Sequence, residues 1–518
     1  MVSMQAKATK REKYRGGVLL LGGLLVLEVV MLVVYNFTLS KSHMDPDMAK
    51  LYTHVVEMAR NHKLIIPNWN YTTTLEWDCA TIFALPLYYV TKDIWSSFAI
   101  ANTIFLLLFL FVLYMLLANK SILHFLSTAA VLFIPFSVGM LDYANMMFFN
   151  GSQYIVKVLL PLMLVALVIH DGKKNQLLHK VLAALYIVFL MINTISSGLY
   201  VAICAMFPIM LGYVVYRGVQ KEQIEKRVLF WFGITISVIV IGMLVQKNLG
   251  INTRMNSMVL CSRKQIHTNI SECIIGIFTL FGGTNEDMVI AMSVNGVKTF
   301  ACILFVLFLL ISVICSVNKI IRRRAGIEEL LMCSVFLWNT LILFCIRMAD
   351  ENRCEYRYHL ISMVGIICMS VPKIIDWLYK ECKYKYVVGT VLYAFIAFIS
   401  FASFVNMKGA TYDVADLKAC CEYNANQRIE VSYVLNVNND ADLCRLLSYK
   451  NGTVLAVDEE SGLVSAVDWY KTDYVLNSWD DTSLIVSCDY PQFYLDEFEL
   501  WGHSYKLAFE EGFYRVYR

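Results

Sequence analysis

Carboxylates stand in two pairs along one stretch of this chain. Asp45 and Asp47 open it, in Lys41-Ser-His-Met-Asp45-Pro-Asp47-Met-Ala-Lys-Leu-Tyr52, and Glu76 and Asp78 close it, in Pro67-Asn-Trp-Asn-Tyr-Thr-Thr-Thr-Leu-Glu76-Trp-Asp78. An ionised carboxylate can take the proton of an attacking hydroxyl or amine. Much later, Arg347, Arg353 and Arg357 cluster with Glu351, Glu355, Tyr356, Tyr358 and His359. A guanidinium fork binds phosphate oxygens in pairs, so these arginines suit a phosphate, with Arg357 first among them. Lys157 adds a cation inside an apolar run, where a charge is costly and marks function by default. Each group also has a plain reading. Asp45 and Asp47 can cap a helix that starts at Pro46. Glu76 and Asp78 can be a solvated interfacial pair, and the arginines can pair with Asp350, Glu351 and Glu355. Lys157 can snorkel to the surface. His43, His54 and His62 show no metal-ligand spacing and read as packed or solvated.

The elements that must hold these residues are membrane helices. Of the 518 residues, 58% are hydrophobic and only 8 are proline, and the apolar residues come in blocks near the length that spans about 30 Å of hydrocarbon. Eleven such spans are expected: 17–39, 96–118, 122–140, 154–170, 181–194, 198–216, 228–245, 297–317, 327–346, 358–371 and 386–405. The basic segment Met1–Arg15 precedes a span that reads as a retained anchor. Lysines and arginines recur in every second loop, with Lys319 to Arg324 the strongest marker, which puts the N-terminus in the cytoplasm. Loops 41–95 and 246–296 then face the exterior, and both acidic pairs fall near one membrane face. Glu28, halfway along the first span, is too deep for a hydroxyl acceptor and reads as a structural carboxyl. No internal repeat of the transporter kind is found, and no nucleic-acid stripe.

The remainder, 406–518, differs in kind. It carries 9 Lys+Arg against 19 Asp+Glu, a balance of −10 in a chain of net charge +3. Short apolar runs at Arg428–Val434, Gly452–Val457, Ser483–Ser487 and Phe513–Tyr517 read as strands, and Asp413–Tyr423 and Asp440–Leu447 as helices. The expectation is a polytopic α-helical membrane protein with a transmembrane domain, 1–405, and a small extracytoplasmic α/β domain, 406–518. The 15 cysteines show no zinc spacing. Cys261 with Cys273, and Cys444 with Cys488, share outer segments in which disulfides could form.

The stretch from Lys41 to Thr91, with its string PNWNYTTTLEWDCATIFALPLYYVT, resembles the first exoplasmic loop of integral-membrane glycosyltransferases of the GT-C class, including uncharacterised bacterial members. The resemblance implies juxtamembrane helices in the 41–95 loop and a catalytic acid just after the first span. Asp47 fits that position best and Asp45 stays open, the Asp-Pro-Asp form being a departure. It implies that Glu76 and Asp78 form a second acidic site for the donor or a divalent cation, Mg or Mn, with Asp47 and Glu76 as ligands if one binds. Glu355-Tyr-Arg357-Tyr358 resembles a late Arg-Tyr motif, and Ser197-Gly198-Leu-Tyr200 a substrate-facing turn, whose plain reading is a tight helical hairpin. The implied activity is a hexosyltransferase that uses a polyprenyl-phosphate sugar donor and a glycan, lipid or protein acceptor of the cell envelope. A flippase for a lipid-linked saccharide and a non-catalytic envelope assembly protein are the rival classes.

Overall fold

The computed structural model describes residues 2–518 except 68, 70, 72–73, 119–120, 140–141, 171–174, 250–257, 285–292, 349–354, 410–413, 436–439 and 458–481. The chain divides into two compact units, one of residues 1–34, 73–79 and 102–409, the other of residues 35–72, 80–101 and 410–518.

The helices run in order α1 (Val2–Thr38), α2 (Pro46–Asn61), α3 (Thr81–Thr91), α4 (Ile94–Leu117), α5 (Ile122–Leu132), α6 (Tyr143–Met147), α7 (Ile155–Ile169), α8 (Gln176–Ser197), α9 (Phe207–Gln220), α10 (Lys226–Asn248), α11 (Arg263–Leu280), α12 (Val294–Ile321), α13 (Ile327–Cys345), α14 (Leu360–Lys380) and α15 (Lys385–Gly409). Nine of the described helical segments are long and apolar enough to cross a membrane. Every expected span falls on a helix, but the count of eleven is not reached by length. The third and fourth spans fall on α5 and α7, apolar helices of only 11 and 15 residues. The chain is therefore a multi-pass α-helical membrane protein. The 246–296 loop contains α11, which the sequence reading left without structure. It is capped by Ser262, whose hydroxyl accepts from Gln265 N–H. A two-stranded antiparallel ribbon, β1 (Met258–Leu260) with β2 (Ile346–Met348), joins the start of this loop to the end of α13.

Glu28 is fully buried, and the Ser400 hydroxyl of α15 donates to it at 2.7 Å, which is the structural tie expected of it.

In the second unit, α16 (Ala415–Asn426) and α17 (Asp440–Leu447) accompany a six-stranded sheet. Its strands are β3 (Val431–Leu435), β4 (Thr453–Val457), β5 (Thr482–Ser487), β6 (Glu497–Leu500), β7 (His503–Glu511) and β8 (Tyr514–Tyr517), in spatial order β4-β3-β5-β8-β7-β6. β3 pairs in parallel with β4 and β5, and the other pairings are antiparallel. Strands β3, β4, β5 and β8 match the apolar runs. Tyr433, Leu455, Leu484, Val486 and Tyr517 fill the core. The hairpin β6–β7 escaped the sequence reading because its exposed and buried residues are mixed with charge, as in Glu497-Phe-Glu-Leu. Helix α2 packs on α17 within this unit, and the Arg60 guanidinium donates to the Tyr449 carbonyl. The described cysteines carry no disulfide. Cys444 touches Cys421 of α16, a contact the sequence reading did not foresee.

Candidate functional site

Asp78 is heavily bonded. Its side chain is 1% exposed. Oδ1 accepts from the Ser196 hydroxyl at 2.7 Å, and Oδ2 from Asn193 Nδ2 at 2.6 Å and the Ser197 hydroxyl at 2.8 Å. The Lys157 ammonium lies 3.2 Å from Oδ2. The backbone is fastened to the same place. Leu75 N–H donates to Ser196 O at 3.0 Å, and Trp77 N–H to Ser196 Oγ at 3.0 Å. Between them Glu76 adopts φ +58°, a left-handed turn that lets residues on either side reach one serine. Gly198 stops α8 at φ +62° and ψ −135°, a region open only to glycine. The Ser196-Ser197-Gly198 corner is thus more than a tight hairpin: it is the dock for residues 74–79.

Lys157 stands in the first turn of α7, where an apolar helix would leave its ammonium with no partner. It donates to Gln153 O at 2.9 Å and lies 5.1 Å from the Tyr154 ring centroid. Its side chain is 11% exposed, so the ammonium is held within the protein and not carried out to water. From Tyr154 the aromatic contacts continue. Tyr154 meets Tyr200 edge-on at 6.5 Å, and Tyr200 meets Tyr358 at 5.9 Å. The Arg357 guanidinium lies 5.6 Å from the Tyr358 ring, with its Nε 3.6 Å from Glu355. Three expected donor-site residues, Lys157, Arg357 and Tyr358, are therefore joined in one run of contacts that begins at Asp78.

Tyr356 fixes the arginine end of this run. Its hydroxyl donates to Asp142 Oδ1 at 2.9 Å, and the Ser137 hydroxyl donates to Asp142 Oδ2. Burial pushes the Asp142 carboxyl up, while the hydrogen bonds from Ser137 and Tyr356 and the charge of Lys298 pull it back. Gly276 of α11 lies against Tyr356, and a Cβ there would stand 2.6 Å from the tyrosine Cβ, so only glycine allows the approach.

The first acidic pair belongs to the other unit. Asp45, not Asp47, is the N-cap of α2: Asp45 Oδ1 accepts from Met48 N–H at 2.9 Å, and Pro46 occupies the first helical position. The helix starts at Pro46 as expected, and of the two aspartates that could cap it only Asp45 does, because Pro46 fills the first helical position and leaves Asp47 inside the first turn. Asp45 is 1% exposed, while Asp47 lies half-buried in the first turn and takes no part in the cap. His43 and His54 are packed, while His62 is exposed beside Tyr89. His54 stacks on Trp69 at 4.6 Å with Nε2 3.2 Å from the Tyr71 hydroxyl, and His43 Nδ1 lies 3.1 Å from Leu39 O.

Arg353 lies outside the described residues, as do Asp350, Glu351 and the sequon Asn70. Arg347 is placed in β2, its backbone paired with Val259. Among the described residues no three His, Cys, Asp or Glu side chains converge on one point.

No protein-family model matches this chain, and no curated protein matches it. Solved structures do. ArnT from Cupriavidus metallidurans, in the apo state, is similar over 96% of this chain and 98% of its own, with 11% identity and a TM-score of 0.56. The same protein bound to undecaprenyl phosphate is similar over the same shares, with 12% identity and a TM-score of 0.55. An oligosaccharyltransferase from Archaeoglobus fulgidus covers 83% of this chain and 62% of its own at 9% identity, but its TM-score of 0.47 is too low to carry weight. At these identities the likeness is one of fold. It extends over nearly the whole chain, and the protein is accordingly a multi-pass membrane protein that shares its fold with ArnT.

Proposed function

We propose that the protein is a glycosyltransferase that moves a hexosyl group from a polyprenyl-phosphate donor to a glycan, lipid or protein acceptor outside the cytoplasmic membrane. The observation that carries this reading is the run from Asp78 through Lys157, Tyr154, Tyr200 and Tyr358 to Arg357, which sets two cations on one aromatic wall. A soluble substrate would not need such a wall, whereas a phosphate on an apolar chain does. The undecaprenyl phosphate in the ArnT structure supports the same donor class.

In this reading an acceptor hydroxyl or amine attacks the anomeric carbon and its proton passes to a carboxylate of the α2 first turn. Asp47 is preferred over Asp45, whose Oδ1 is committed to the cap. The bond between the anomeric carbon and the phosphate oxygen breaks, and the electron pair leaves on the polyprenyl phosphate. Lys157 and Arg357 meet the charge that grows on that oxygen. Displacement by one attack inverts the anomeric centre. The N-terminus is cytoplasmic and residues 410–518 are extracytoplasmic, in keeping with the basic alternate loops.

The test is donor turnover by the purified protein with a panel of polyprenyl-phosphate sugars, alongside Asp47→Asn and Arg357→Ala. Loss of a base costs roughly 10²–10⁴-fold in rate. Asp47→Asn should fall by that much while it stays folded. Full turnover in Asp47→Asn would refute the base assignment. Movement of lipid-linked sugar across proteoliposomes without transfer would replace the reading with a flippase.

A further inference from the structure

We propose that Asp78 is a positioning residue for the phosphate subsite and not a ligand of donor, acceptor or metal. Its task is to hold the Lys157 ammonium at one fixed point, and this inference rests on the function proposed above. A carboxylate offers about four acceptor positions on its two oxygens. Asp78 has four donors around it: Ser196 on Oδ1, and Asn193, Ser197 and Lys157 on Oδ2. Three of them crowd Oδ2, and with its side chain 1% exposed it offers no opening for a metal ion or an acceptor proton.

The donors divide by kind. Asn193, Ser196 and Ser197 all stand in the last turns of α8, and all are neutral. They suffice to fix the carboxylate, and Leu75 and Trp77 fix the backbone around it. Lys157 comes from a different helix and adds a charge to an otherwise apolar segment. As a mere peg it would be a poor choice, because a buried ion pair recovers little more than its own desolvation. Of its three N–H groups, one goes to Gln153 O and one to Asp78. The third remains for an anion beside Tyr154. The order of support is therefore α8 to Asp78 to Lys157 to phosphate. This explains why an aspartate of the first loop finds its donors more than a hundred positions later.

The test uses the full-length protein in detergent. Binding of polyprenyl phosphate is followed by tryptophan fluorescence, and transfer kinetics are measured for wild type, Asp78→Asn, Lys157→Met and the double variant. Asp78→Asn should weaken binding roughly tenfold and raise KM more than it lowers kcat, as loss of one charge-assisted hydrogen bond does. The double variant should be no worse than Lys157→Met alone, because Asp78 acts only through Lys157. Additive losses, or an Asp78→Asn variant that binds as wild type, would overturn the inference. Reactivity of the Lys157 amine toward an acylating reagent, read by mass spectrometry, needs no turnover. It should rise severalfold in Asp78→Asn, and unchanged labelling would also overturn it. If wild type binds no polyprenyl phosphate while labelling rises as expected, the proposed donor fails and the Asp78–Lys157 support stands without it. Should Asp78→Asn not fold, Ser197→Ala removes one of the neutral donors and should raise Lys157 labelling in the same direction. No rise in that folded variant would count against the proposal.

Discussion

Asp45 and Asp47 differ by two positions, and only Asp45 takes part in the cap of α2, which makes the base proposed at Asp47 separable from it. Asp45 contributes one cap bond, Oδ1 to Met48 N–H at 2.9 Å, to a helix whose first turn is otherwise set by Pro46. Asparagine caps as well as aspartate, whereas alanine costs about 1 kcal/mol. That is a factor of roughly 5 in the local opening equilibrium. Asp45→Asn should therefore keep α2 and its turnover. Asp45→Ala should keep the fold but let the first-turn amides of α2 exchange about five times faster. Hydrogen exchange by mass spectrometry on the detergent-solubilised protein reads the helix, and donor turnover reads the chemistry. If Asp45→Asn lost turnover as fully as Asp47→Asn while α2 stayed protected, the charge of Asp45 would be the chemical one. Unchanged exchange in Asp45→Ala would mean that the cap bond carries no stability.

Two further outcomes follow from backbone and titration. Glu76 sits at φ +58°, which asparagine tolerates and a β-branched residue resists, so Glu76→Asn should keep the thermal midpoint while Glu76→Val loses about 1–3 kcal/mol; equal midpoints would remove the strain argument. Asp440 at the start of α17 is pushed up to about 6, mainly by burial. The folded unit thus holds a proton that the unfolded chain releases near its ordinary carboxylate range. Its stability should be greatest below that range and fall as pH rises towards 6 and beyond, by up to about 3 kcal/mol. Exchange of the β3–β5 amides at pH 4.5 and 7.5 checks the sign, and Asp440→Asn should flatten the difference. Faster exchange at the lower pH, after correction for intrinsic rates, would refute it.

The membrane helices were legible because a bilayer imposes one length and one chemistry on every span, and the basic loops repeat the message. The shortness of α5 was not, since apolar residues continue past its end in Phe133-Ile-Pro-Phe136. In the tail, β3, β4 and β5 announce themselves through continuous apolar runs, as buried strands with parallel partners do. The polar hairpin β6–β7 gave no such signal. At the site, residue type pointed to Lys157, Arg357 and Asp78 without revealing their order. Asp78 and its α8 donors are 115 to 119 positions apart, and nothing local marks Asn193 or Ser196. Tyr200 was already in the turn singled out by resemblance, and Tyr154, three positions before Lys157, could have been suspected with it. The choice of cap stayed open because Asp-Pro-Asp offers two acids to one helix start, and only the geometry of Pro46 decides between them.

The packing of α2 on α17 has a consequence for how the protein is made. Arg60 of α2 and Tyr449, just past α17, are joined across 389 positions of chain. At synthesis rates of about 5–20 residues per second, α2 waits roughly 20–80 s for its counterpart to be translated. During that interval the helix carrying Asp47 can already pack on α3 and stack Tyr52 on Phe98, and only its α17 face waits. The end of the chain therefore acts as a timer on this unit: one face of α2 closes early on α3, and the other is covered only after α17 has been synthesised and folded against it.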